Sequence, residues 1–175
     1  MTLDENMNAP FIIKDTVLEK YDWKHYDEPP VIVIPHGVTT IGEQAFRGCA
    51  SNVIVIPETV TKIESAAFMG CAHLQTIHIP DSVQEIGMCA FWNCSHLASV
   101  VLPADLTRIE RDTFAGCAEL RTISIPYGVD YIGEGAFGRC DNLIYVDVMN
   151  SSTEIDKTAF TGCAKLHTLS FHLDN

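Results

Sequence analysis

Two short motifs, Cys71-x-His73 and Cys94-x-His96, each set a thiol and an imidazole two residues apart. Two sulfurs and two imidazoles form a donor set that suits tetrahedral zinc. The chain holds 7 cysteines in all, enough for several disulfide bridges. Serine, histidine and aspartate are all present, so a nucleophile with a base can be imagined. Asn93-Cys94-Ser95 and Asn150-Ser151-Ser152 satisfy the tripeptide pattern of N-glycosylation. Trp92 is a candidate anchor for a partner, and its position in the repeat suggests an exposed side chain. Whether any of this chemistry is built depends on the elements that hold these residues.

Those elements repeat. Phe recurs at Phe46, Phe68, Phe91, Phe114, Phe137 and Phe160, first at a step of 22 and then four times at 23. Three residues after each comes Cys49, Cys71, Cys94, Cys117, Cys140 or Cys163. Pro35, Pro57, Pro80, Pro103 and Pro126 keep the same beat, with Met149 and His172 at the next two places. One period reads Leu74-x-x-Ile77-x-Ile79-Pro80-x-x-Val83-x-x-Ile86-x-x-x-Ala90-Phe91-x-x-Cys94. Ile77 and Ile79 alternate as in a strand with one buried face, and Pro80 ends that strand because it cannot donate to a ladder. The steps of three that follow predict a return segment with a short helical or 3₁₀ turn. Each period is thus one rung of a coil, and stacking is what buries its apolar residues.

Stacking also weighs the chemistry. Rungs lie about 4.8 Å apart with parallel side chains, whereas a disulfide needs Cβ atoms about 3.8 Å apart and converging. The cysteine column is therefore expected to hold buried free thiols, with Cys89, off the column, as the exposed one. The column of His73 continues as His96, Glu119, Asn142 and Lys165, which is a solvent-facing series. Thiols and imidazoles are expected to point apart, so no metal is predicted. No strand elbow, Gly-rich phosphate loop or paired-carboxylate spacing is present, which predicts neither an enzyme nor a cofactor.

Bulk composition narrows the partners. Lys and Arg number 11 against 23 Asp and Glu, for a net charge of −12. Phosphate backbones are held by cations, so nucleic acid is excluded as a partner, and anionic membrane surfaces are disfavoured. At 47% hydrophobic residues the chain can build a core, yet no apolar run approaches the length of a membrane helix. The acidic start, Met1 to Asn6, lacks the basic and apolar segments of a signal peptide. The expected organisation is a mobile stretch over 1–10, a capping hairpin and loop over 11–30, and a six-repeat solenoid over 31–175.

The unit Leu-x-x-Ile-x-Ile-Pro-x-x-Val-x-x-Ile-Gly-x-x-Ala-Phe-x-x-Cys closely resembles the BspA-type leucine-rich repeat, over about residues 31–172. The pattern and the resemblance together predict a leucine-rich-repeat solenoid: a right-handed superhelix of short parallel strands with irregular or short helical returns. The resemblance implies a cell-surface or secreted protein that adheres to other proteins. The repeat lacks the asparagine column of other leucine-rich-repeat types, so their ligand precedents do not transfer.

Two surfaces are predicted to work. On the concave face of the strands, Val31, Val33, Val53, Val55, Thr76, His78, Val101, Tyr145 and Asp147 point away from the core and are the candidate protein-binding residues. At the far end, Phe160, Leu166, Leu169 and Phe171 form a last rung with little chain beyond it, and a homodimer through that rung is the alternative reading.

Overall fold

A computed structural model describes residues 10–22 and 29–172. The mobile stretch predicted at the start of the chain and most of the loop joining hairpin to first rung lie outside these residues. The chain opens with the antiparallel pair β1 (Phe11–Lys14) and β2 (Val17–Tyr21). Six rungs follow. Their long strands are β3 (Val31–Val33), β5 (Val53–Val55), β7 (Thr76–His78), β9 (Ser99–Val101), β11 (Thr122–Ile125) and β13 (Tyr145–Val148), and β15 (Thr168–Phe171) begins a further turn. Two-residue strands on the returns are β4 (Thr40–Ile41), β6 (Lys62–Ile63), β8 (Glu85–Ile86), β10 (Arg108–Ile109), β12 (Tyr131–Ile132) and β14 (Glu154–Ile155).

Pairing between rungs is parallel and in register, so like residues stack: Ile32 on Ile54, Ile77 on Val100, Ile123 on Val146, Ile41 on Ile63, Ile132 on Ile155. The long strands form sheets β3-β5-β7-β9 and β11-β13-β15, and the returns form β1-β2-β4-β6-β8 and β10-β12-β14. Both ladders are interrupted at the same step, after β9 and after β8. The Phe turn bridges that step, since Phe91 N–H donates to Thr113 O at 2.9 Å and Asn93 N–H to Ala115 O at 2.8 Å.

The predicted helical return is corrected: no helix occurs among the described residues. Left-handed backbone is the reason. The residue two before each of the first five phenylalanines has positive φ, at Gln44, Ala66, Cys89, Asp112 and Gly135. The residue two after each of the six does so as well, at Gly48, Gly70, Asn93, Gly116, Arg139 and Gly162. A left-handed residue every four positions stops a right-handed helix from propagating. Hydrogen bonds alternate accordingly. Ala45, Arg47 and Cys49 N–H groups donate within the turn to Gly42, Gln44 and Phe46 carbonyls at 2.9–3.1 Å. Gln44, Phe46 and Gly48 N–H groups reach the next rung, to Ser65, Ala67 and Met69 carbonyls at 2.8–3.3 Å. The cost of non-glycine residues at positive φ is offset by these inter-rung bonds.

The core is a set of ladders. Phe46, Phe68, Phe91, Phe114 and Phe137 are fully buried, and neighbouring rings from Phe46 to Phe160 stack at 5.0–5.5 Å between centroids, within 10° of parallel. Tyr21 extends the stack, 5.2 Å from Phe46, and Phe11 packs on Tyr21 at 5.1 Å. The opening hairpin is therefore a modified rung: β2 pairs with β4, Leu18 lies opposite Ile41, and Tyr21 stands in the Phe column.

Candidate functional site

The strands present their outward residues as a grid. Val31 lies beside Val53, and Val33 beside Val55, so the first two rungs bring four valines into one patch. Val33 is 62% exposed, the most open large apolar side chain of the grid; Val31 and Val55 are also exposed and Val53 is half-buried. Thr76 follows Val53, and His78 sits beside Val101, which is itself exposed. Alternation explains the placement, because Ile32, Ile54 and Ile77 between these positions face inward and are buried. The grid carries neither Glu nor Lys nor Arg, in a molecule of net charge −12.

Tyr145 and Asp147 are not part of that patch. They lie on the second sheet, beyond β11 with its small outward residues Thr122 and Ser124. There Ser170, the next residue of the Asp147 column, and His172, in the proline position, converge on Asp147 with Tyr145. Asp147 Oδ1 accepts from Ser170 Oγ at 2.5 Å, from His172 Nε2 at 2.9 Å and from Tyr145 OH at 3.3 Å. Ser170 first, then His172 and Tyr145, hold the Asp147 carboxyl below the usual carboxylate range. Register brings Ser170 beside Asp147 on β13 and β15.

The motifs that suggested chemistry are accounted for differently. Cys71 Sγ donates to Phe46 O at 3.1 Å and Cys94 Sγ to Phe68 O at 3.2 Å, and Cys117, Cys140 and Cys163 repeat the contact to Phe91, Phe114 and Phe137. Burial pushes the Cys117 thiol up to about 12, and the Cys163 hydrogen bond, then burial, raises Cys140, so these are protonated structural donors. All seven cysteines are free, with Cys89 and Cys163 half-buried. His73 and His96 stand exposed while Cys71 and Cys94 are buried, so the zinc-type set is split across the wall of the coil. Trp92, expected on the surface, is half-buried.

On the return side a shallow groove of about 680 Å³ is lined by Lys62, Glu64, Glu85, Met88, Arg108 and Glu110. Its charges pair among themselves: Lys62 with Glu85 at 2.9 Å and Arg108 with Glu110 at 3.1 Å. The Glu85 hydrogen bond raises the Lys62 pKa, and the Arg108 guanidinium lies 4.3 Å from the Tyr131 ring centre. No helix of the described residues is long and apolar enough to cross a membrane.

No curated protein matches the chain. Among solved structures, the leucine-rich repeat protein of T. pallidum is 29% identical with a TM-score of 0.73, over 89% of this chain and 73% of that one. The pneumococcal vaccine antigen PcpA is 26% identical with a TM-score of 0.62, over 71% of this chain and 31% of that one. A leucine-rich cell surface protein of Faecalibacterium prausnitzii A2-165 shares the fold, with 24% identity and a TM-score of 0.61 over 85% of this chain. The chain spans 61% of that protein's length. A sequence model of the BspA type leucine-rich repeat region matches residues 39–167 in 6 copies, and the chain belongs to that family.

Proposed function

We propose that the chain is a non-enzymatic protein-binding module that docks a partner on the outward face of its long strands. The observation that carries this reading is the exposed valine patch of Val31, Val33, Val53 and Val55, extended by Val101. A rigid, uncharged apolar surface on an otherwise strongly acidic molecule is a place where a protein segment gains from leaving water. The partner is a protein with an apolar contact strip and no dense acidic charge, since the flanking surface would repel one. The cell-surface description of the F. prausnitzii protein supports an adhesive setting.

Affinity capture from the native organism, followed by measurement of the purified pair, tests the reading. Val55→Glu should abolish binding, Tyr145→Glu should do so if the partner reaches the second sheet, and Arg111→Ala on the return side should leave it unchanged. Loss of binding only from return-side changes would overturn the assignment.

A second reading has its own observation. Leu169 is 39% and Phe171 43% exposed, whereas Val146 and Val148, one rung earlier in the same columns, are 0%. We propose that this face, with Phe160 and Leu166, takes a second copy of the chain. Its strand β15 contains no charge or proline to deter edge pairing, and two-fold pairing would close it. Light scattering over a concentration series tests it, with Phe171→Asp expected to shift dimer to monomer; a strictly monomeric protein at high concentration overturns it.

A further inference from the structure

The position two residues after each ladder cysteine from Cys71 onward stacks into a surface column of His73, His96, Glu119, Asn142 and Lys165. Backbone bonds lock the rungs that carry it: His96 N–H donates to Ala72 O at 3.3 Å, Glu119 N–H to Ser95 O at 3.1 Å and Asn142 N–H to Ala118 O at 3.1 Å. Further along, unlike side chains meet, with Lys165 Nζ donating to Asn142 Oδ1 at 2.6 Å. At the first step two imidazoles meet instead. The exposed rings of His73 and His96 have centroids 6.1 Å apart and are tilted by 51°.

His96 is oriented by its own backbone surroundings. Its Nδ1 lies 2.5 Å from Ala72 O. A carbonyl oxygen only accepts, so Nδ1 carries the ring proton and Nε2 keeps its lone pair. A carbonyl behind the ring is the arrangement that fixes tautomer and orientation in metal-bound histidines. Metal–nitrogen bonds of about 2.0–2.1 Å put two imidazole centroids about 5 Å apart at a tetrahedral angle and about 6 Å apart when nearly opposite. The pair therefore needs only side-chain rotation, on backbones already held.

We propose that His73 and His96 form a two-imidazole chelate for a divalent transition metal of the zinc, copper and nickel class, with water completing the shell. Imidazole is the ligand these ions share. Among the described residues no three His, Cys, Asp or Glu side chains gather, so the protein supplies two ligands. Cys71 and Cys94 are excluded because their buried thiols donate to the Phe46 and Phe68 carbonyls.

Calorimetric titration of the full chain with Zn²⁺ and with Ni²⁺ tests the site. One equivalent should bind, and His73→Ala or His96→Ala should each weaken it by about tenfold or more. His78→Ala and Cys89→Ser, outside the pair, should leave binding unchanged. Both rings are exposed, so the variants keep their fold, which circular dichroism verifies. Absence of binding, binding that survives His73→Ala, or binding lost in His78→Ala or Cys89→Ser overturns the proposal.

Discussion

The two ends of the coil are built from the same columns and treated differently. At the N-terminal end β2 continues the return ladder, and Leu18 and Tyr21 enter the Ile and Phe columns with 0% and 2% of their surface exposed. Phe11 and Ile13 on β1 then cover them from outside. At the C-terminal end Phe160 and Leu166 are half-buried, and Leu169 and Phe171 are open. β15 is held there by its pairing with β13 and by the convergence of Ser170, His172 and Tyr145 on Asp147. The contrast is that the antiparallel pair buries its side chains in the existing columns, while β15 continues the ladder with Leu169 and Phe171 partly open.

That comparison can be broken by measurement. The largest effect belongs to the interior: Phe91→Ala should cost about 3–5 kcal/mol in chemical denaturation, because its ring is stacked on both sides. Leu18→Ala at the sealed end should cost about 2–5 kcal/mol, as for any fully buried leucine. If it costs no more than a surface change, the hairpin is not a cap. Phe160→Ala at the open end should cost only roughly 1 kcal/mol, about half the burial term of a phenylalanine. Equal costs for Phe91→Ala and Phe160→Ala would mean that the open end is covered in solution.

The smallest effect is a pH dependence. The Asp147 carboxyl is held below its ordinary value by Ser170, His172 and Tyr145. Its contribution is present above the usual carboxylate range and disappears as pH falls through the lowered native value. Acid titration of stability should therefore show a component at the low end of the carboxylate range that Asp147→Asn removes. If the variant retains that component, Asp147 does not anchor the last strand.

Much of this architecture was legible because each rung repeats one residue per column: Phe91, Cys94 and Ile86 have the same neighbours as Phe114, Cys117 and Ile109. The outward grid followed from alternation alone. The returns were misjudged because a left-handed backbone leaves a mark in the sequence only where glycine adopts it. Gln44, Ala66 and Cys89 adopt it under compulsion from the next rung. Tyr21 was not assigned to the Phe column, since its segment lacks the Cys and Pro beat. The Asp147 cluster and the His73–His96 pair join residues more than twenty positions apart; the repeat period places them in shared columns, and the structure adds which side-chain atoms meet.

The alternation of hydrogen bonds in the Phe turns has a mechanical meaning. Within a rung the bonds close small loops, while between rungs they run along the axis of the stack. A load applied to the two ends along that axis meets each inter-rung contact in turn, as an opening zipper meets its teeth, rather than all at once in shear. The molecule would yield in a succession of small, nearly equal steps, one rung at a time, beginning at the end whose last strand is least covered. It would extend under tension as a ratcheting tether and recoil as rungs re-stack, a compliance set by the repeat and independent of what the surface holds.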